Sequence, residues 1–426
     1  MNRLLNPLIG ALLAGAVLCD PGSGSAWGGS VDLTLLSVIA VIALALLFDF
    51  SNGFHDAANS VATVVATRAM SARWAVAFSA ACNFAAYFVV GTAVANTVAK
   101  IVKPGVAGVP VVFGALVGAI AWNYLTWYFG LPSSSSHALI GGLVGAGISA
   151  GGTSVISWDK VQQTALFIVV SPLVAFVIAG VATPLVIGLQ KLTGWSDDAK
   201  PFKGLQLVSA AALSFGHGAN DAQKTMGTIA ALLAGAGYVT TSHGNVAVPE
   251  WVALSAYTAI AVGTMWGGWR IIETVGLRLT NLNARTAVAA NVGAVTAIFG
   301  GTQLGIPLST THAATFSVVG AGAAARRGVG HKMIGGMVLA WVVTIPVTGA
   351  IGWGVYRLTQ LPGPYAGVSV GVVVLAFLAA IGWAMRNSIG AKEVERQVKL
   401  AEELQISLIA AAPMTKLVDT TSVPVA

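Results

Sequence analysis

"GLPSSSSHALIGGLVGAG", Gly130 to Gly147, sets four consecutive serines and a histidine inside a chain that otherwise reads like lipid. Hydrocarbon does not solvate hydroxyls, and a buried polar group without a partner is costly. The run must therefore serve a helix end, a packed interface or a ligand. Its meaning comes from a second copy: "GIPLSTTHA", 305–313, lies over "GLPSSSSHA" without gaps, and "VGAG" recurs at 144–147 and 319–322. An earlier pair behaves alike, since "GFHDAANSV" (53–61) lies over "GANDAQKTM" (218–226) and matches Asp56 with Asp221. Two motifs recurring in the same order predict two homologous halves.

Around these motifs the chain is apolar. Of 426 residues, 56% are hydrophobic and 9% charged, and mean hydropathy is +0.81, against roughly 25% charge in soluble domains. This predicts a multi-pass protein of the cell membrane in contact with the lipid bilayer. Runs near 33–50, 74–99, 161–189, 250–269, 333–356 and 364–385 are long enough to cross a hydrocarbon core of roughly 30 Å as helices. The net charge of +7 comes from basic residues in short loops, where orientation in the membrane explains them, and nucleic-acid binding is set aside. Cys19 and Cys82 show no metal or disulfide spacing.

The organisation follows. Residues 1–32 read as a signal-like segment or a short first helix, 33–190 as a first transport repeat and 191–204 as a cytoplasmic linker. A second repeat covers 205–387. The remainder, 388–426, reads as a cytoplasmic tail whose "AKEVERQVKLAEELQISL" (391–408) is a solvated amphipathic helix. If each serine/threonine motif is the tip of a re-entrant hairpin, with arms near 110–130 and 137–155, and 286–304 and 312–325, one orientation places five basic segments inside. Lys100, Lys103 and Lys160 are its exceptions. The same count makes the halves inverted. The expected fold is an all-α polytopic membrane protein of two inverted repeats, with discontinuous helices and two re-entrant hairpins, an arrangement suited to alternating access.

Pro132 and Pro307 interrupt apolar helices, and the hydroxyl runs then open new ones. Serine and threonine cap helix N-termini, whose free amides and dipole attract anions. Two such ends facing each other would surround a tetrahedral oxyanion, phosphate or sulfate. The alternative is simple capping and packing. Nucleophilic catalysis by Ser136 and His137 meets the obstacle that adjacent helical residues do not face each other, so an enzyme is not expected. The other motif supplies His55, Asp56 and Asn59, then Asn220, Asp221 and Lys224, ionisable or polar groups at membrane depth. Gly53, Gly216 and Gly218 are expected to let the helices unwind there, freeing carbonyls for a cation. Asp49, His137, His217 and His312 are secondary candidates.

With these residues in view, the chain resembles the Pit-type inorganic phosphate transporter family, bacterial low-affinity permeases. The stretches that carry the resemblance are "FSNGFHDAANSVATVVATRAM" (50–70), "WNYLTWYFGLPSSSSHALIGG" (122–142), "SFGHGANDAQKTMG" (214–227) and "GIPLSTTHA" (305–313). It implies a homodimeric symporter that takes up inorganic phosphate, free or as a divalent metal complex, with a coupling cation, H+ or Na+. No cofactor is implied. The resemblance makes Ser134, Ser135, Ser136, Ser309, Thr310 and Thr311 the phosphate ligands, and Asp56 with Asn59, and Asp221 with Asn220, the coupling sites. Lys224 departs from the asparagine that many members carry in both signatures. Its ammonium either does the work of a bound sodium ion or bridges to Asp221 at i, i+3 spacing.

Overall fold

The computed structural model describes residues 33–103, 105–196, 200–242 and 245–411. The segment 1–32 and the end of the tail, 412–426, lie outside the described residues. Fourteen helices are described: α1 (Leu33–Ala66), α2 (Ala72–Ala85), α3 (Ala93–Ala99), α4 (Val109–Tyr128), α5 (Ser135–Gly151), α6 (Trp158–Thr193), α7 (Lys200–Gly235), α8 (Glu250–Trp266), α9 (Trp269–Glu273), α10 (Ala284–Gln303), α11 (Thr310–Ala324), α12 (His331–Thr359), α13 (Pro364–Arg386) and α14 (Ala391–Ala411). The described strands form one two-residue antiparallel pair, with Thr241 opposite Val246. The fold is helical.

Among the described residues, α1, α4, α6, α12 and α13 are long and apolar enough to cross a membrane. The expected span 74–99 is instead broken: Ala72–Phe88 and Ala93–Ala99 meet at 86°. The segment 191–204 is helical at both ends, because α6 continues to Thr193 and α7 starts at Lys200. The tail helix is not fully solvated. Val394 and Val398, one turn apart, are buried, and Glu395 accepts a hydrogen bond from the Ala72 backbone N–H at the start of α2 (3.1 Å).

Both signature helices are continuous, contrary to the expected unwinding. The glycines serve close approach instead: a Cβ at Gly53 would collide with the Ile260 carbonyl of α8, and one at Gly218 with the Asn83 carbonyl of α2. The carbonyls near Asp56 and Asp221 lie within unbroken helix, so they are not freed for a cation.

The same device seats the hydroxyl-bearing helices. The α4–α5 pair packs on α12, and the α10–α11 pair packs on α6. Gly145 lies against the Gly349 carbonyl and Gly320 against that of Phe176. Each pair thus leans on a long helix from the other half of the chain. Overpacking a tight contact costs about 1–3 kcal/mol, and here the obstacle is backbone, which yields least. Gly145→Val and Gly320→Val are expected to lower the melting temperature of detergent-purified protein, while Gly354→Val, which meets open space, leaves it unchanged.

Candidate functional site

Two local breaks build the site. Gly130 and Gly305 lie two residues past the last residues of α4 and α10, Tyr128 and Gln303, and both are left-handed (φ 65° and 67°). The Leu131 N–H bonds the Thr126 carbonyl and the Ile306 N–H that of Gly301, each at 2.9 Å. This paired C-terminal closure needs a residue tolerant of positive φ, which glycine is. Pro132 and Pro307 then hold the chain extended before the next helix. Ser134 caps α5 by accepting from the His137 N–H (3.3 Å), and Ser309 caps α11 by accepting from the His312 N–H (3.2 Å).

The two capped ends meet inside the protein. Ser136 Oγ donates to the Leu308 carbonyl (2.9 Å), and the rings of His137 and His312 pack edge to face at 4.7 Å. His312 also stacks on Trp341 of α12 at 3.6 Å, while the Trp341 indole donates to the Pro132 carbonyl (2.9 Å). Ser133 to Ser136 and Ser309 to Thr311 are all buried, and the Ser135 hydroxyl has no hydrogen-bond partner.

The acidic signatures lie directly behind these ends. Asp221 Oδ1 accepts from the Lys224 ammonium (2.5 Å). Its Oδ2 accepts from Asn52 Nδ2 (3.1 Å) and from the Thr310 hydroxyl (3.3 Å). Asp56 Oδ1 pairs with His55 Nδ1 at 2.6 Å, and its Oδ2 receives the Thr310 hydroxyl at 3.5 Å. Between the two acids stands His217, whose Nε2 lies 3.9 Å from Asp56 and 3.5 Å from Asp221. One ligand atom from each of Asp56, His217 and Asp221 falls within 4.8 Å of the others. Asn83 pairs with the other ring nitrogen of His217 (3.4 Å) and donates to Thr264 (2.8 Å).

Matched positions of the two signatures make matched bonds. Lys224 donates to Ser136 at one helix end, and Asn59 donates to Thr311 at the other (3.3 Å). His55 pairs with Thr126 (3.2 Å), whereas Asn220 donates to Thr302 (2.9 Å) and the Ile306 carbonyl (3.2 Å). Asn59 and Asn220 thus reach toward the capped helices rather than the carboxylates. Asp49, also on α1, is fully buried. The sequence reading passed over Asn52, Asn83 and Trp341. Asn52 had one local signal, a polar residue one turn before Asp56 in an apolar run.

A cleft of about 460 Å³ approaches the end of α10, lined by Lys100, Lys160, Asn245 and Gly305 among others. Two of the three lysines that broke the charge rule therefore share one concave surface, where like charges raise the local concentration of anions.

Comparison with known proteins identifies the family. The model of the phosphate transporter family matches residues 52–192 and 189–352. A "probable low-affinity inorganic phosphate transporter" of Rhizobium meliloti (strain 1021) is 47% identical over 317 residues, covering 74% of this chain and 94% of its own. The protein of the same description from Bacillus subtilis (strain 168) is 39% identical over 326 residues, with coverages of 76% and 97%. Among solved structures, "the sodium-dependent phosphate transporter" superposes with a TM-score of 0.68 at 25% identity, covering 77% of this chain and 100% of that one. The matched residues include both acidic signatures and both capped helix ends, and the chain belongs to the phosphate transporter family.

Proposed function

We propose that this membrane protein imports inorganic phosphate as a proton-coupled symporter. The α4–α5 and α10–α11 pairs act as re-entrant hairpins of two inverted repeats, 33–190 and 205–387, one opening to each side. Phosphate binds between Ser134, Ser135, Ser136 and Ser309, Thr310, Thr311, where two helix N-termini supply amides and hydroxyls. A transporter has no need of Ser136 as a nucleophile, and His137 packs against His312 rather than serving as its base.

One observation carries the proton reading: the Lys224 ammonium joins Asp221 to Ser136. A fixed cation already stands beside the carboxylate and next to the anion site. The matched residue, Asn59, brings none. Buried charges interact strongly at low dielectric, so an ammonium tethered to the chain offsets Asp221 without a mobile metal ion. The cluster of Asp56, His217 and Asp221 favours a second reading, coupling to Na+, as does the likeness to a protein described as sodium-dependent. Its fit is weaker, because hard cations prefer oxygen ligands and one of the three ligands is a ring nitrogen.

Purified protein in liposomes tests both readings when sodium, pH and magnesium are varied independently at constant membrane potential. Accumulation of labelled phosphate driven by a pH gradient without sodium is the expected result. A strict sodium requirement would favour the second reading. Uptake only with magnesium would make the metal complex the substrate, and equal competition by sulfate would widen the substrate to oxyanions.

A further inference from the structure

Three buried carboxylates lie in the facing helices α1 and α7, and they differ in one respect. Asp56 receives a polar hydrogen from His55 and Asp221 receives them from Lys224 and Asn52, with the single Thr310 hydroxyl hydrogen shared between the two acids. Asp49 receives none: both of its oxygens are buried without a hydrogen-bond partner, and its exposure is 0%. The Thr225 hydroxyl of α7 neighbours the carboxylate, yet neither it nor Asp49 makes a hydrogen bond of acceptable geometry.

The surrounding charges do not compensate Asp49. From α7 it feels Asp221 and Lys224, and that lysine is committed to Asp221 and Ser136. From α8 it faces Tyr257, a buried phenol whose hydroxyl also lacks a partner. Two acids thus share one ammonium. An isolated ionised carboxylate in an apolar interior is far more costly than a neutral acid. The unpartnered Thr225 oxygen is available as the acceptor that an acidic O–H needs.

We propose that Asp49 is the group that carries the coupled proton through the transport cycle, an assignment that rests on the proton-symport reading above. The step is a simple one. A proton from the side to which the site is open binds an Asp49 carboxylate oxygen, giving the neutral acid. After the site reopens, the same O–H bond breaks and the proton leaves on the other side. Asp49 has no acidic counterpart in the second half, where the matched position is Ser214, whose hydroxyl is bonded to the Ala210 carbonyl (2.9 Å). One such site among the described residues makes the coupling one proton for each turn of this carboxylate.

The test uses the full-length protein in liposomes, comparing wild type with Asp49→Asn and Asp49→Glu. Asp49→Asn is expected to lose phosphate accumulation under a proton gradient and to lose phosphate-induced proton movement, read by a trapped pH dye. It should keep phosphate counterflow at equal pH on both sides. Counterflow needs exchange but no net proton transfer. Accumulation and proton movement at wild-type levels in Asp49→Asn would overturn the assignment and leave the transport reading intact. Absence of phosphate counterflow in wild type would instead overturn the transport reading itself. Should Asp49→Asn not fold, Asp49→Glu supplies the answer: a shifted pH profile of uptake supports the site, and an unchanged one overturns it. An infrared band of a protonated carboxyl, present in wild type, absent in Asp49→Asn and shifted in Asp49→Glu, is the independent signature.

Discussion

Replacing Lys224 by asparagine is expected to abolish phosphate accumulation in sodium-free buffer and to make the remaining uptake respond to added sodium. In the structure the ammonium lies against Asp221 Oδ1 at 2.5 Å and against Ser136, all buried. Removing one partner of such a pair leaves an uncompensated charge, at a cost of about 3–5 kcal/mol. Asparagine fits the space, as Asn59 shows by bonding Thr311 at the matched position. The vacated volume beside Asp221 then suits a small cation. A melting temperature that drops in Lys224→Asn and recovers with sodium would show that binding directly, because a ligand that prefers the folded state stabilises it. If sodium restores neither stability nor uptake, Lys224 is a structural bridge and nothing more.

The second large effect concerns Asp56. Asp56→Asn should fold, since the amide has the carboxylate's shape and its oxygen still accepts from His55, but concentrative uptake should fall at least about tenfold. A hydrogen bond to a charged group contributes roughly 1.5–3 kcal/mol, and here the same charge faces His55 at 2.6 Å and His217 at 3.9 Å. Thr310 would lose one of its two acidic acceptors, which loosens the α11 end where phosphate is proposed to bind. Measuring initial uptake rate and final accumulation ratio separates slower binding from lost coupling. Wild-type accumulation by Asp56→Asn would remove this carboxylate from the mechanism.

The breaks at the hydroxyl runs were legible because their causes are local. Gly-Leu-Pro-Ser and Gly-Ile-Pro-Leu-Ser contain the positive-φ residue, the helix stop and the cap within a few positions. Helices accordingly cover Val109–Tyr128 and Ala284–Gln303, close to the expected segments 110–130 and 286–304. The Lys224–Asp221 bridge was legible for the same reason, being one helical turn. Glycine is ambiguous in sequence, serving a bend or a close approach, and only the neighbour decides. At Gly53 and Gly218 the neighbours are the carbonyls of Ile260 and Asn83, and the helices expected to unwind there are unbroken. Bonds between distant segments left no trace in composition or spacing. Asn52 meets Asp221 and Thr310 meets both acids only because α1, α7 and α11 converge. The buried stripe of α14 was present as Val394 and Val398, but dense charge around it hid the fact that something covers it.

The seating of each hydroxyl-bearing pair on a long helix from the opposite half also bears on biosynthesis. Ribosomes deliver α4 and α5 well before α12, so the face around Gly141 and Gly145, which packs on Ile345, Thr348 and Gly349, is synthesised with its eventual neighbour still unmade. Until then that face has no helix of this chain to pack on. The nascent chain cannot complete its first half in order and then its second; assembly finishes only when His331–Thr359 arrives and both halves close together.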